Sequence, residues 1–245
     1  MLAAESSSKS TPSPLQNRLV AALPLSYRRS FIEKLELVFL PLGQVLYESG
    51  DEELFVYFPT DSITSLLYVM ENGSSAEIAV IGHEGIVGVA VFMGGMSTPS
   101  RAVIQSAGHA YRLSAAILKK EFDEHGPLTP LLLKYTQSLI THMAQTAVCN
   151  RHHTINQQLC RRLLHSLDRL NTNDLVMTQE LIANMLGVRR EGVTEAACRL
   201  QKLGVIEYNR GHITILNRPK LEQLSCECYA VVKNETHRLQ PYLTL

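Results

Sequence analysis

The chain of 245 residues has no net charge, since 23 Lys and Arg balance 23 Asp and Glu. A uniformly basic, polyanion-binding surface is thereby excluded, although a local basic face is not. Long apolar runs are also missing. A stretch such as Val87 to Met93 falls far short of the ~20 residues that span a bilayer. No charged segment leads into an apolar core at the N-terminus, so a cytoplasmic protein without a membrane partner is expected. Cysteine is scarce, with five residues, and an odd number in a chain without a secretion signal argues for reduced thiols rather than a disulfide framework.

What is present is unevenly distributed. Residues 1–150 hold 10 basic and 14 acidic side chains, whereas 151–245 hold 13 and 9, so an acidic partner should dock on the C-terminal part. A 45% apolar content over this length suits two domains, each with its own core.

Residues 1–14, rich in Ser, Thr, Pro and Ala without periodicity, read as a disordered tail. Leu15 to Leu35 has helical spacing, with Pro24 and Ser26 separating two short helices. Seven short β-rich runs follow: Leu37 to Leu40, Val45 to Tyr47, Leu54 to Phe58, Ile63 to Met70, Ala76 to Ile81, Ala102 to Gln105 and Ala110 to Leu113. Asn72-Gly73 signals a type I′ hairpin, and many short strands at this spacing imply a jelly roll. Ser114 is a candidate N-cap for a helix over Ala115 to Glu124, ending near Gly126-Pro127.

A long helix is expected from Leu128 to about Asn150. Leu132, Tyr135, Leu139, Met143 and Thr146 form a narrow seam along it, as a two-helix dimer contact would. The plainer reading is packing on its own barrel. Ile155 to Leu170 reads as an amphipathic helix with Leu159, Leu163, Leu164 and Leu167 facing a core and Arg161, Arg162 and Arg169 elsewhere.

Met177 to Leu200 contains two helices meeting at Leu186-Gly187-Val188. Thr178 can cap the first, Ala183 is small at the crossing, and Gly187 permits a left-handed turn. Leu181, Leu186, Val188, Val193 and Leu200 supply the shared core. Arg189, Arg190, Glu191, Thr194 and Glu195 open the second helix, where side chains reach base edges, and Arg199 lies further along it. Two β-runs around Asn209-Arg210-Gly211 make a hairpin wing whose arginine can reach a phosphate. Double-stranded DNA is the partner these features imply.

Thr178-Gln179-Glu180, Leu186-Gly187-Val188, Arg190-Glu191 and Gly204-Val205-Ile206, with Phe58-Pro59 and the Gly82 to Gly95 segment more loosely, resemble the cAMP receptor protein and FNR (Crp/Fnr) family of bacterial regulators. The resemblance implies an α+β chain: a jelly-roll sensor of cyclic-nucleotide-binding type over 15–127, a dimerisation helix and hinge over 128–153, and a winged helix-turn-helix with a C-terminal helix over 154–245. It further implies a homodimer on a palindromic operator, contact with RNA polymerase, and no catalysis. Arg190 and Glu191 correspond to the readers of a G and a neighbouring C·G pair, which suits their donor and acceptor chemistry. Glu195 departs from the arginine of many relatives, so the operator should differ at that pair.

The effector pocket of this family would fall on Gly88, Val89, Arg101 and Ala102. Valine accepts no hydroxyl, and Arg101-Ala102 keeps only part of a phosphate-binding Arg-Ser pair, so cAMP is not expected and the effector is unassigned. The first cysteine is Cys149, which leaves no N-terminal ligands for an iron–sulfur centre. His142, Cys149, His152 and His153 lie near the helix end, but hinge histidines more often bond to solvent or backbone, and no metal site is expected. Cys226 and Cys228 read as buried structural thiols on different helix faces. A cupin-like enzyme would need a metal triad, and His83, Glu84 and His109 are poorly spaced for one. The alternative function is a cyclic-nucleotide-like module that regulates a protein partner without DNA binding; it leaves the helix-turn-helix unexplained.

Overall fold

The computed structural model describes residues 11–170 and 172–239. The barrel is entered through two short helices, α1 (Arg18–Ala21) and α2 (Leu25–Ile32). Buried Asn17 fixes that entry. Its Oδ1 accepts from the Leu19 and Val20 amides, and its Nδ2 donates to the Pro59 and Gly85 carbonyls at 3.0 and 2.8 Å. Of the expected disordered tail, residues 1–10 lie outside the described residues. The remainder is held: Pro12 is buried and its carbonyl accepts from the Tyr111 hydroxyl at 2.8 Å, while Pro14–Gln16 make a 3₁₀ turn.

Seven antiparallel strands follow: β1 (Glu36–Leu40), β2 (Val45–Tyr47), β3 (Phe55–Pro59), β4 (Ile63–Val69), β5 (Ser75–Ile81), β6 (Arg101–Ser106) and β7 (Gly108–Ser114). They form two sheets, ordered β1-β7-β3 and β2-β6-β4-β5. Together with the entry helices they enclose Phe31, Val56, Phe58, Leu66, Ile81 and Leu113. Each expected run is present within two residues of its bounds. The β4–β5 turn departs from type I′: only Gly73 has positive φ (82°), and it follows a tight turn closed by its own amide on the Met70 carbonyl. This is a three-residue loop with a bulge, in which Asn72 Oδ1 instead accepts from the Ser74 amide. A short helix, α3 (Ala90–Met93), interrupts the stretch between β5 and β6.

After the barrel come α4 (Ala115–Asp123) and the 25-residue α5 (Leu128–His152). The Ser114 hydroxyl makes no capping bond to α4, and the left-handed residue beyond that helix is His125 rather than Gly126. Then follow α6 (Ile155–Leu167), β8 (Asp174–Val176), α7 (Gln179–Leu186), α8 (Arg190–Lys202), β9 (Ile206–Asn209), β10 (His212–Ile215), α9 (Arg218–Leu224) and α10 (Glu227–Leu239). The three short strands pair in the order β8-β10-β9. No helix among the described residues is long and apolar enough to cross a membrane.

The seam expected on α5 is corrected by the packing. Leu132, Tyr135 and Leu139 are buried and Met143 half-buried because this face meets the barrel core while α10 lies along the same helix, and Thr146 is buried beside Arg161 of the helix that follows. The apolar residues left outward are Leu133, Ile140 and Val148, at 54, 57 and 47% exposure, with Ala144 between them. On α6 the leucine stripe faces the C-terminal core as expected. Arg161 and Arg162, however, are buried, because α6 packs its second face on the barrel.

Candidate nucleic-acid interface

The helix-turn-helix is built by three local devices. Thr178 Oγ1 accepts from the Leu181 amide and starts α7. Gly187, at φ 64°, ends it in the left-handed conformation that a β-carbon disfavours. Ile182, Ala183, Leu186, Val193 and Leu200 then lock α7 to α8 in one buried core. Ile182 takes the central place expected for Leu181, which is half-buried along with Val188. Gly192 lies where α8 meets the start of α6, and a β-carbon there would stand 2.7 Å from Ile155 Cδ1, so that side chain would have to shift.

This packing leaves one face of α8 in solvent. Arg189, Arg190, Glu191, Glu195 and Arg199 are all exposed. Thr194 is different: its hydroxyl donates to Gln179 Oε1 at 2.7 Å and bonds the Arg190 carbonyl at 3.0 Å. That pair fixes the angle between the helices and orients the Gln179 amide, so Thr194 positions its neighbours.

The wing closes on a two-residue turn with φ 48° at Arg210 and 85° at Gly211, the type I′ geometry that suits a twisted hairpin. It is tied back to the helices, as Met177 N donates to the Gly211 carbonyl at 2.7 Å and the Tyr208 hydroxyl to the Met177 carbonyl at 2.9 Å. Thr178, Gln179, Arg190 and Arg210 consequently line a single open groove between α8 and the wing. Guanidinium groups at both edges suit it to phosphates and base edges.

The expected effector residues are less convergent. Gly88 is buried with φ 105°, Val89 precedes α3, and Ala102 is fully buried in the sheet. Arg101 Nε lies 3.1 Å from Glu48 Oε2. Beneath Gly88 the structure places Glu53, which the sequence reading missed. Its carboxylate is buried without a hydrogen-bond partner among the described residues, and burial pushes its pKa up to about 7.

The remaining candidates sort by position. His83 and Glu84 face the C-terminal domain, with the His83 ring nitrogen 3.1 Å from the Arg169 carbonyl and Glu84 Oε1 2.7 Å from Arg169 Nε. His109 instead contacts Asp61 on the barrel surface, so these three do not form a triad. The His142 and His165 rings lie 4.8 Å apart, tilted at 43° to each other, and burial holds both well below the usual histidine range; His152 is exposed. Cys149 and His153 come together with Cys226 and Cys228.

The two helices across the Gly187 turn and the following hairpin make a winged helix-turn-helix, carried here on a jelly-roll domain through a long helix. Residues 157–224 match the Crp-like helix-turn-helix domain, and the chain has the fold of the Crp/Fnr regulators. Among solved structures it is similar to a Crp/Fnr-family transcriptional regulator from Eubacterium rectale, at 18% identity and a TM-score of 0.66, covering 86% of this chain and 97% of that one. FixK2 from Bradyrhizobium japonicum is similar at 16% identity and 0.65, covering 78% and 98%. The c-di-GMP-responsive global regulator CLP from Xanthomonas campestris matches at 14% and 0.60, covering 78% and 99%. No curated protein sequence matches the chain.

Proposed function

We propose that this protein is a sequence-specific DNA-binding transcription regulator, not an enzyme, and that it binds a palindromic operator as a homodimer. The observation that carries the reading is the groove in which Arg190 at the start of α8 and Arg210 at the wing tip share one exposed face. Arg190 donates twice to a guanine O6 and N7, and Glu191 accepts from a cytosine N4. Thr178, Gln179, Arg199 and Arg210 hold the flanking backbone, and Glu195 sets a preference unlike that of an arginine at its position.

The homodimer forms through the outward face of α5, where Leu133, Ile140, Ala144 and Val148 recur at spacings of seven and four. Two-fold symmetry then sets the half-sites about one helical turn apart. RNA polymerase is the further partner that this class of regulator implies.

A cyclic nucleotide does not fit the barrel. Val89 offers no acceptor for a ribose hydroxyl, Ala102 replaces the hydroxyl of a phosphate-binding Arg-Ser pair, and Arg101 pairs with Glu48 at 3.1 Å. A signal in the barrel instead reaches α6 through the contacts of Glu77 and Glu84 with Arg162 and Arg169, and so alters the spacing of the two recognition helices.

Fluorescence anisotropy of the full chain on operator and scrambled duplexes, at a stated salt concentration, tests the proposal. Discrimination that is lost in Arg190→Ala supports it. Equal binding of all duplexes by wild type and variant would leave the protein-partner module as the better account.

A further inference from the structure

Two segments 77 residues apart meet at the end of α5. Cys149 and His153, one helical turn apart, face Cys226 and Cys228, which flank the start of α10. Cys226 precedes the helix, so its thiol is free of the helical periodicity that would have turned it away from Cys228. The Cys149 and Cys226 sulfurs are 3.5 Å apart, and Cys228 Sγ is 3.5 Å from His153 Nδ1. All four ligand atoms lie within 4.8 Å of one another, and the three thiols are buried.

We propose that these four residues form a Cys₃His site for a single thiophilic divalent ion of the zinc class. Zn–S bonds of about 2.3 Å in a tetrahedron set the sulfurs about 3.8 Å apart, close to the spacing found. An iron–sulfur cluster places several metal atoms between its ligands and needs them farther apart.

The surroundings complete the site. His153 Nε2 lies 3.3 Å from Glu227 Oε2, the carboxylate partner that orients a ligating imidazole and raises its basicity. Gln145 Nε2 donates to Cys228 Sγ at 3.1 Å, and Gln158 Nε2 holds the His153 carbonyl at 2.9 Å. Arg161 is buried and makes one hydrogen bond, to Thr146 Oγ1, with no carboxylate partner among the described residues. Three thiolates and a neutral imidazole around a divalent cation carry one net negative charge, which this guanidinium balances. Placed across the junction of α5 and α6, the ion clamps the hinge of the DNA-binding domain to α10.

The test is metal analysis of untagged, full-length protein, followed by chelation and titration with Co²⁺ alone, with circular dichroism confirming that the apo chain is folded. The expected result is one equivalent of zinc per chain surviving buffer exchange, and a Co²⁺ spectrum with intense tetrahedral d–d and thiolate charge-transfer bands. Cys228→Ser and His153→Ala should each weaken Co²⁺ binding, and Glu227→Gln should do so by about 10- to 100-fold while keeping the tetrahedral spectrum. If Cys228→Ser does not fold, His153→Ala and the apo wild type decide. An octahedral spectrum, unchanged affinity in the variants, or a Cys149–Cys226 disulfide in metal-free protein would overturn the proposal.

Discussion

Arg162 on α6 and Glu77 on β5 form an ion pair with Nε 2.9 Å from Oε1, buried on both sides. Burial pushes the Glu77 carboxyl up, and the guanidinium beside it and the Ser65 hydroxyl at 2.6 Å pull it back. Gln105 Oε1 accepts from the same guanidinium. The pair is therefore a fixed joint between barrel and DNA-binding domain.

Removing one partner strands a buried charge, which typically costs about 3–5 kcal/mol. Glu77→Gln should lower stability on that scale in urea denaturation, whereas Glu77→Leu combined with Arg162→Met should lose much less. Equal losses in the two variants would show that the joint is not electrostatic.

Glu53 gives a pH signature. Its folded pKa is raised from 4.5 to about 7 by burial, so between those values the folded state holds the proton more tightly than the unfolded state. Stability from this group falls as pH rises through that window and is level above it. Thermal melts should show Glu53→Gln more stable than wild type at pH 8 and similar to it at pH 4.

His142 and His165 act in the opposite sense. Both are held well below 6.5 by burial, with each other's presence and nearby arginines adding to the effect on His165. The unfolded chain takes up protons below pH 6.5 while the folded chain does not, so stability drops as pH falls through that point. His165→Asn should flatten the acid limb of the melting curve relative to wild type.

The jelly roll and the helix-turn-helix were legible because their signals are local. Turn residues bound each strand, and Thr178 and Gly187 bracket α7 through bonds within four residues. The outward face of α5 was not legible. Leu132, Tyr135 and Leu139 looked like a complete narrow seam until the barrel and α10 were placed against them. Arg162 read only as lying off the core-facing stripe because its partner lies 85 residues away, and the Cys₃His set was hidden because it combines two distant segments. Cys-x₃-His at the end of one helix, with Cys-x-Cys opening another, was the available signal.

The corrected α5 face makes its own test. Ile140→Asp should convert a dimer to a folded monomer in sedimentation velocity, while Leu139→Asp, on the buried face, should destabilise the fold itself. A dimer that survives Ile140→Asp would place the interface elsewhere.

At the wing, Arg210→Ala should weaken DNA binding similarly for all sequences and reduce the slope of log affinity against log salt by about 1. Glu195→Ala should leave that slope unchanged and alter the preferred base at one position per half-site.

The most direct measurement is selection of bound sequences from a random duplex pool by the wild-type chain and by Arg190→Ala, at one salt concentration. The account expects a palindrome with G·C pairs in each half for the wild type and no consensus for the variant. The same consensus from both proteins, or none from the wild type, would contradict it.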